Sequence, residues 1–345
     1  MAERFLYLPA AGLIACLVLA LSAGGREVRV PGLVPVLLCL FAAGFATRTW
    51  VRNLDWQDDV TLGAASVRTC PRSFRAHSLL AGGLYDSDPT RANIDRVIDE
   101  AERSLALLDP LPDPLNNAKS YRFAGGYYLE KASRLLRQGP HGEVVRPPES
   151  VRAYQRAIPI LLRCISIFKA QHKSQADKTG QGGPPGSEID SDAGDAYRLL
   201  SAAYLGLGDT ERALDTANKA RAQDPLNPDA YRQISHALLV RGRGDEAAVA
   251  LMEGMVVTEA PHLREELLDL YRNGIDAKGC AVVPGPYGPA INPCCAIVHE
   301  HLCAASLGAI KTRLATGRRD LALKLKAMFL HDYGCPAGPL NDVLP

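Results

Sequence analysis

The sequence predicts an all-α chain, and three observations carry that prediction. Tyr197, Leu200, Ser201, Tyr204, Gly208, Ala213, Ala217 and Ala220 are followed thirty-four residues later by Tyr231, Ile234, Ser235, Leu238, Gly242, Ala247, Leu251 and Gly254. Alanine and leucine dominate while aromatics make up only 6%, a balance that suits close-packed helices. No segment shows sustained β-branched alternation bounded by hairpin turns. A thirty-four-residue period of large apolar, then small, positions marks a helix–turn–helix solenoid unit. Such a unit cannot bury its apolar face alone, so units stack and present a concave surface suited to binding.

Residues 1–52 read differently. Phe5 to Gly25 and Val30 to Thr47 contain no charged side chain, and at 1.5 Å per residue each run reaches roughly 27–31 Å, the depth of a hydrocarbon core. The expectation is a transmembrane helical hairpin, about 5–25 and 30–47, joined by Arg26-Glu27-Val28-Arg29. Pro31 and Pro35 fall where a missing N–H costs least, and Trp50 and Trp56 suit an interfacial belt. A cleaved secretory leader is the rival reading of the first run. Arg26 and Arg29 are balanced by Arg48 and Arg52, so charge does not fix the orientation. Five of the nine cysteines crowd the last third, which points to an oxidising, extracytoplasmic setting for a multi-pass inner-membrane protein.

The repeat register resembles that of the tetratricopeptide (TPR) family, and Asp224-Pro225 closes a unit where that family places a proline. A connector, 53–69, leads to a TPR-like solenoid over 70–261. His77, Leu80, Ala81 and Leu84 repeat the spacing of Tyr197, Leu200, Ser201 and Tyr204, and Tyr121, Ala124, Gly125 and Tyr128 do so again. This gives four units. The first carries an extra turn before Ile94–Leu108, and the second has a Gly/Pro-rich insertion at 138–149. Lys173 to Gly194, rich in glycine and proline around 180–186, reads as a disordered loop. Residues 262–345 read as Cys-rich closing helices, because a solenoid needs an atypical end to cover its last apolar face.

Chemistry is sparse. The 39 basic and 38 acidic side chains nearly cancel, so no overall field draws nucleic acid. There is no nucleophile elbow, phosphate-cradling loop or zinc-protease helix, and no catalytic residue, cofactor or metal is assigned. Cys295, His299 and Cys303 stand at i, i+4, i+8, with Cys294 and His301 nearby. Soft ligands in that pattern can converge on a metal. The same cysteines, with Cys280 and Cys335, can instead staple a loop and the tail to this helix, or remain buried thiols.

The TPR resemblance implies that fixed places on each first helix face the groove. One such place holds Arg122, Arg198 and Arg232, and three places earlier lie Lys119, Asp195 and Asp229. With His236, the residues Lys119, Arg122, Arg198 and Arg232 are the candidate groove for a protein or peptide partner, since arginines in register hold carboxylates or main chain by charge-assisted hydrogen bonds.

A second resemblance rests on Glu3-Arg4-Phe5-Leu6-Tyr7-Leu8-Pro9 and on Arg52-Asn53-Leu54-Asp55-Trp56-Gln57-Asp58. These resemble the junction of the transmembrane-and-TPR O-mannosyltransferase family, a glycosyltransferase-C membrane half followed by a TPR array. The resemblance implies that the chain corresponds to the carboxyl-terminal part of such a protein, lacking the acidic catalytic loop. Arg4 and Tyr7 would then contact lipid phosphate or the membrane interface beside a polytopic glycosyltransferase half. The alternative function it implies is a subunit of a polyprenyl-phosphate-sugar-dependent O-glycosyltransferase.

Overall fold

The computed structural model describes residues 12–16, 18–20, 23, 33–140, 144–179, 188–275 and 279–344. Among the described residues, helical positions within 12–23 and the helices α1 (Leu33–Asn53) and α2 (Asp59–Thr69) precede four helix pairs. These are α3 (Phe74–Ser87) with α4 (Ile94–Leu108), α5 (Ala118–Arg134) with α6 (Pro148–Thr179), α7 (Glu188–Leu207) with α8 (Thr210–Gln223), and α9 (Pro228–Val240) with α10 (Gly244–Thr258). The closing segment is α11 (Pro261–Leu270), a π turn at Tyr271–Ile275, α12 (Ala296–Ala315), α13 (Arg319–His331) and α14 (Ala337–Val343). Two short antiparallel hairpins, Arg137–Gln138 with Val144–Val145 and Val282–Gly285 with Gly288–Ile291, add the β structure that the sequence did not signal. The architecture is a repeat of paired helices.

Turn chemistry sets the period as firmly as the apolar pattern does. α7 and α9 are each followed by a glycine at positive φ, Gly208 at 82° and Gly242 at 72°, a region that penalises a Cβ. Two of the first helices, α5 and α9, start on side-chain caps: Asn117 accepts from the Ser120 N–H at 3.0 Å, and Asn227 from the Asp229 N–H at 3.0 Å. Each cap satisfies an end donor that the helix itself cannot. Between helices of a pair, small residues allow close approach. Ala213, Ala217 and Ala247 are fully buried, and a Cβ on Gly254 would lie 2.7 Å from Tyr231. In the first pair the turn is longer, and Asp88 organises it by accepting from the N–H groups of Thr90 and Asn93 at 2.9 and 3.2 Å.

One apolar core runs from α3 through α8, with Leu108, Tyr121, Leu161 and Leu200 among its most buried members. Smaller cores continue it through α9 and α10, then through α11 and α12, and finally among α12, α13 and α14. The last pair of repeats is therefore covered by the closing helices rather than left open.

Two expectations are corrected. The hairpin of transmembrane helices is not supported, because among the described residues no helix is long and apolar enough to cross a membrane. Among the described residues the second rod is the helix Leu33–Asn53, which carries Arg48 and Arg52 in its last turns. The described uncharged part, Leu33 to Thr47, is 15 residues, a rise of roughly 22 Å against a hydrocarbon core of ~30 Å. The first rod, 5–25, lies for the most part outside the described residues. The expected multi-pass, extracytoplasmic placement loses its basis with the hairpin. The second correction concerns 173–194: residues 173–179 continue α6 and 188–194 open α7, so both flanks are helical. The glycine- and proline-rich centre, 180–187, lies outside the described residues.

Candidate functional site: the face of the first helices

Because α3, α5, α7 and α9 are the first members of their pairs, one side of each turns away from its second helix. Aligning His77, Tyr121, Tyr197 and Tyr231 puts four residues into each structural column. The column one place on is Ser78, Arg122, Arg198, Arg232. The next is Leu79, Phe123, Leu199, Gln233. Five places on come Gly82, Gly126, Ala202 and His236. Members of these columns from α3, α5, α7 and α9 line two cavities of about 430 and 610 Å³ that share Tyr85, Phe123 and Tyr127. The floor is apolar and open: Leu79 is 37% and Phe123 49% exposed, although each sits on the inner face of the array.

The glycines of the floor are not there for packing. A Cβ on Gly82 would meet nothing nearer than the Tyr127 hydroxyl at 4.0 Å, and one on Gly126 nothing nearer than Leu199 at 4.0 Å. Their chain neighbours behave oppositely. A Cβ on Gly83 would lie 2.7–2.9 Å from backbone atoms of Asp59 and Val60, and one on Gly125 would lie 2.5 Å from Leu161. Gly83 and Gly125 therefore permit close helix contact, whereas Gly82 and Gly126 keep the groove floor flat. Mid-helix glycine costs about 1 kcal/mol relative to alanine, and at these two positions nothing inside the fold offsets that cost.

All the groove residues expected from sequence lie along this face, but their cations are not free. Lys119 pairs with Asp192 at 3.1 Å, and Arg122 pairs with Asp195 at 2.9 Å and Asp192 at 3.4 Å. Arg198 pairs with the same Asp195 at 3.2 Å. Arg232 pairs with Asp229 at 2.9 Å and Glu266 at 3.8 Å, and His236 stands 3.6 Å from Glu266. These carboxylates tie α5 to α7 and α9 to α11, so the arginine row first serves to hold neighbouring units in register. Burial holds the His236 imidazole below its ordinary value, with Glu266 opposing. Among the described residues Arg122 Nε, Arg232 Nε and Gln233 Oε1 are buried and without a hydrogen-bond partner. Burial also pushes the Tyr127 hydroxyl up to about 12, helped by Asp86, so it stays a neutral donor on the groove wall.

Leu79, Phe123, Leu199 and the glycine column were missed at the sequence level. The signal was present, since these residues sit at fixed offsets from the signature aromatics, but an apolar residue on a helix reads as core until its face is known.

The remaining expected residues fall elsewhere. Cys280 is bonded to Cys295 and Cys303 to Cys335, while Cys294 is exposed and free. These bonds staple the β-hairpin loop and the tail to α12. Cys295 is thereby separated from His299, which the sequence placed with it as a metal ligand. His299, Cys303 and Cys335 do lie within 4.8 Å of one another, but the two sulfurs are bonded together and His299 Nε2 is 2.6 Å from the Tyr333 carbonyl. Arg4 and Tyr7 lie outside the described residues. The second segment of the O-mannosyltransferase resemblance forms the corner between α1 and α2. There Arg52 pairs with Asp55 at 3.0 Å, Arg68 reaches Asp55 at 3.6 Å, and Asp58 caps α2 through the Thr61 N–H at 2.7 Å.

The fold and its inner face thus define an α-solenoid of paired helices with a groove. No family model matches the chain, and no curated protein matches its sequence. Among solved structures it is similar to the nearly identical TPR-like repeats of a Podosopora anserina protein described as a kinesin light chain. That match has 12% identity and a TM-score of 0.34, covering 79% of this chain and 95% of the other. It is also similar to residues 1–338 of Acl4, an assembly chaperone of RpL4, with 12% identity, a TM-score of 0.33, and 79% and 81% covered.

Proposed function

We propose that this chain is a protein-interaction scaffold that holds an extended segment of a partner protein along the face of α3, α5, α7 and α9. The observation that carries this reading is the open column of Gly82, Gly126 and Ala202 beside the exposed Leu79 and Phe123. An extended peptide places alternate side chains on opposite sides. One set can occupy the apolar floor offered by Leu79 and Phe123 while the other faces solvent. Lys119, Arg122, Arg198 and Arg232 are already paired with the chain's own carboxylates, so the favoured segment is selected by bulky apolar residues that fill the floor.

Selection of random displayed peptides tests this. Peptides enriched on the wild-type chain are expected to lose binding to Gly126→Trp, which fills the floor, and to retain it with Leu162→Ala on α6. Equal binding to wild type and Gly126→Trp would refute the reading. The narrower reading, a subunit of a lipid-linked-sugar O-glycosyltransferase whose repeats capture acceptors, rests on the two sequence segments alone. The one of them that is described works as a helix corner, and we do not build on it.

A further inference from the structure

A third cavity, of about 410 Å³, lies between the end of α6, α7 and the end of α8 and shares no lining residue with the groove. Its floor is apolar, with Ile165, Phe168 and Ala193 each buried. Its rim is basic and polar: Lys169, His172 and Lys173 from α6, Tyr197 from α7 and Gln223 from α8. The α6 trio stands at i, i+3 and i+4, so these side chains share one helix face. Lys169 Nζ lies 6.0 Å from the Tyr197 ring centre. Among the described residues none of the five rim groups has a hydrogen bond or an ion pair with another side chain.

That sets the rim apart from the groove, where Lys119, Arg122, Arg198 and Arg232 are all neutralised by the chain's own carboxylates. Two lysines at i and i+4 repel each other slightly, and among the described residues no carboxylate forms an ion pair with either. The volume falls within the range of small-molecule sites, which combine an apolar lining with a few convergent polar groups.

We propose that this cavity binds a small organic anion: an apolar or aromatic body over Ile165 and Phe168, with a phosphate or carboxylate head between Lys169 and Lys173. The Tyr197 hydroxyl and the Gln223 amide donate to the head. The site is independent of the groove and of what occupies it.

Calorimetry on the full chain with 1-naphthyl phosphate, 1-naphthaleneacetate and the neutral 1-naphthalenemethanol tests the proposal. At least one anion is expected to bind at a single site, and the neutral probe more weakly. A Lys169→Ala/Lys173→Ala chain should bind that anion about tenfold more weakly or worse, as loss of charge-assisted bonds implies, with its affinity for the alcohol unchanged. A preference for the phosphate assigns a phosphate monoester, and a preference for the acetate a carboxylate. Gly126→Trp should leave all three affinities alone. Both lysines are exposed, so the double variant should keep the wild-type far-ultraviolet circular dichroism. Failure of both anions to bind at millimolar concentration, equal affinity for the alcohol, or an unchanged affinity in the double variant would overturn the proposal.

Discussion

Replacing Gly126 by alanine should stabilise the chain, whereas the same change one residue earlier should not. The two glycines share α5 and its backbone geometry, so each gains the same helix propensity on acquiring a methyl group, about 0.8–1 kcal/mol. They differ in what the methyl meets. At Gly126 the nearest heavy atom is Leu199 Cδ1 at 4.0 Å, an ordinary contact distance. At Gly125 the methyl would sit 2.5 and 2.6 Å from Cδ2 and Cγ of Leu161, a fully buried residue, and overpacking of that kind costs about 1–3 kcal/mol. The propensity gain cancels in the comparison, so the difference between the variants is the packing cost alone, about 1–3 kcal/mol. Urea unfolding followed at 222 nm measures both. The reasoning fails if Gly126→Ala is destabilised as much as Gly125→Ala, because the groove floor would then be packed rather than open. Gly83→Ala extends the test: its methyl would face backbone atoms of Asp59 and Val60, which cannot rotate away as a leucine can, so its loss should exceed that of Gly125→Ala.

Other expectations follow from the same geometry. Under denaturing, non-reducing conditions five of the nine cysteines should react with a thiol reagent, and in the folded chain Cys164 should be protected, since burial pushes its thiol up to about 12. Removing the Cys280–Cys295 link, which spans 15 residues, should cost about 3 kcal/mol, and the Cys303–Cys335 link, spanning 32, slightly more. Glu253 is buried beside Arg221 at 3.1 Å, and burial outweighs that arginine to raise its carboxyl above the ordinary value. A raised folded-state value means its contribution is fully present below the unfolded carboxylate value and is lost as pH rises through the folded one. Glu253→Gln should therefore gain stability relative to wild type as pH rises above the ordinary carboxylate value, and parallel pH profiles would disprove this. Breaking the bridge with Asp195→Asn removes the shared partner of Arg122 and Arg198. It should loosen α5 against α7, measured as faster amide exchange in both helices.

The helical repeat was legible because its determinants are local: the turn glycines Gly208 and Gly242 and the buried alanines recur at one spacing. The arginine row was legible by the same register. Its pairing was not, because Asp192 falls in a stretch whose glycine and proline content reads as loop, whereas the helix α7 brings it to Lys119 and Arg122. Apolar length misled at the N-terminal side. An uncharged run of the right length spans a bilayer only if it is helical throughout, and among the described residues no helix is long and apolar enough, with α1 carrying Arg48 and Arg52 in its last turns. The disulfide pairing could not be read from cysteine spacing, since connectivity depends on where the β-hairpin and the tail return to α12.

The most direct test of the account uses a photoreactive benzoylphenylalanine, placed at Phe123 on the groove floor or at Leu162, which is 47% exposed on α6. With a display-selected peptide bound, the probe at 123 should crosslink to the peptide and the probe at 162 should not. Crosslinking from 162 with none from 123 would place the partner on the second helices and contradict the account.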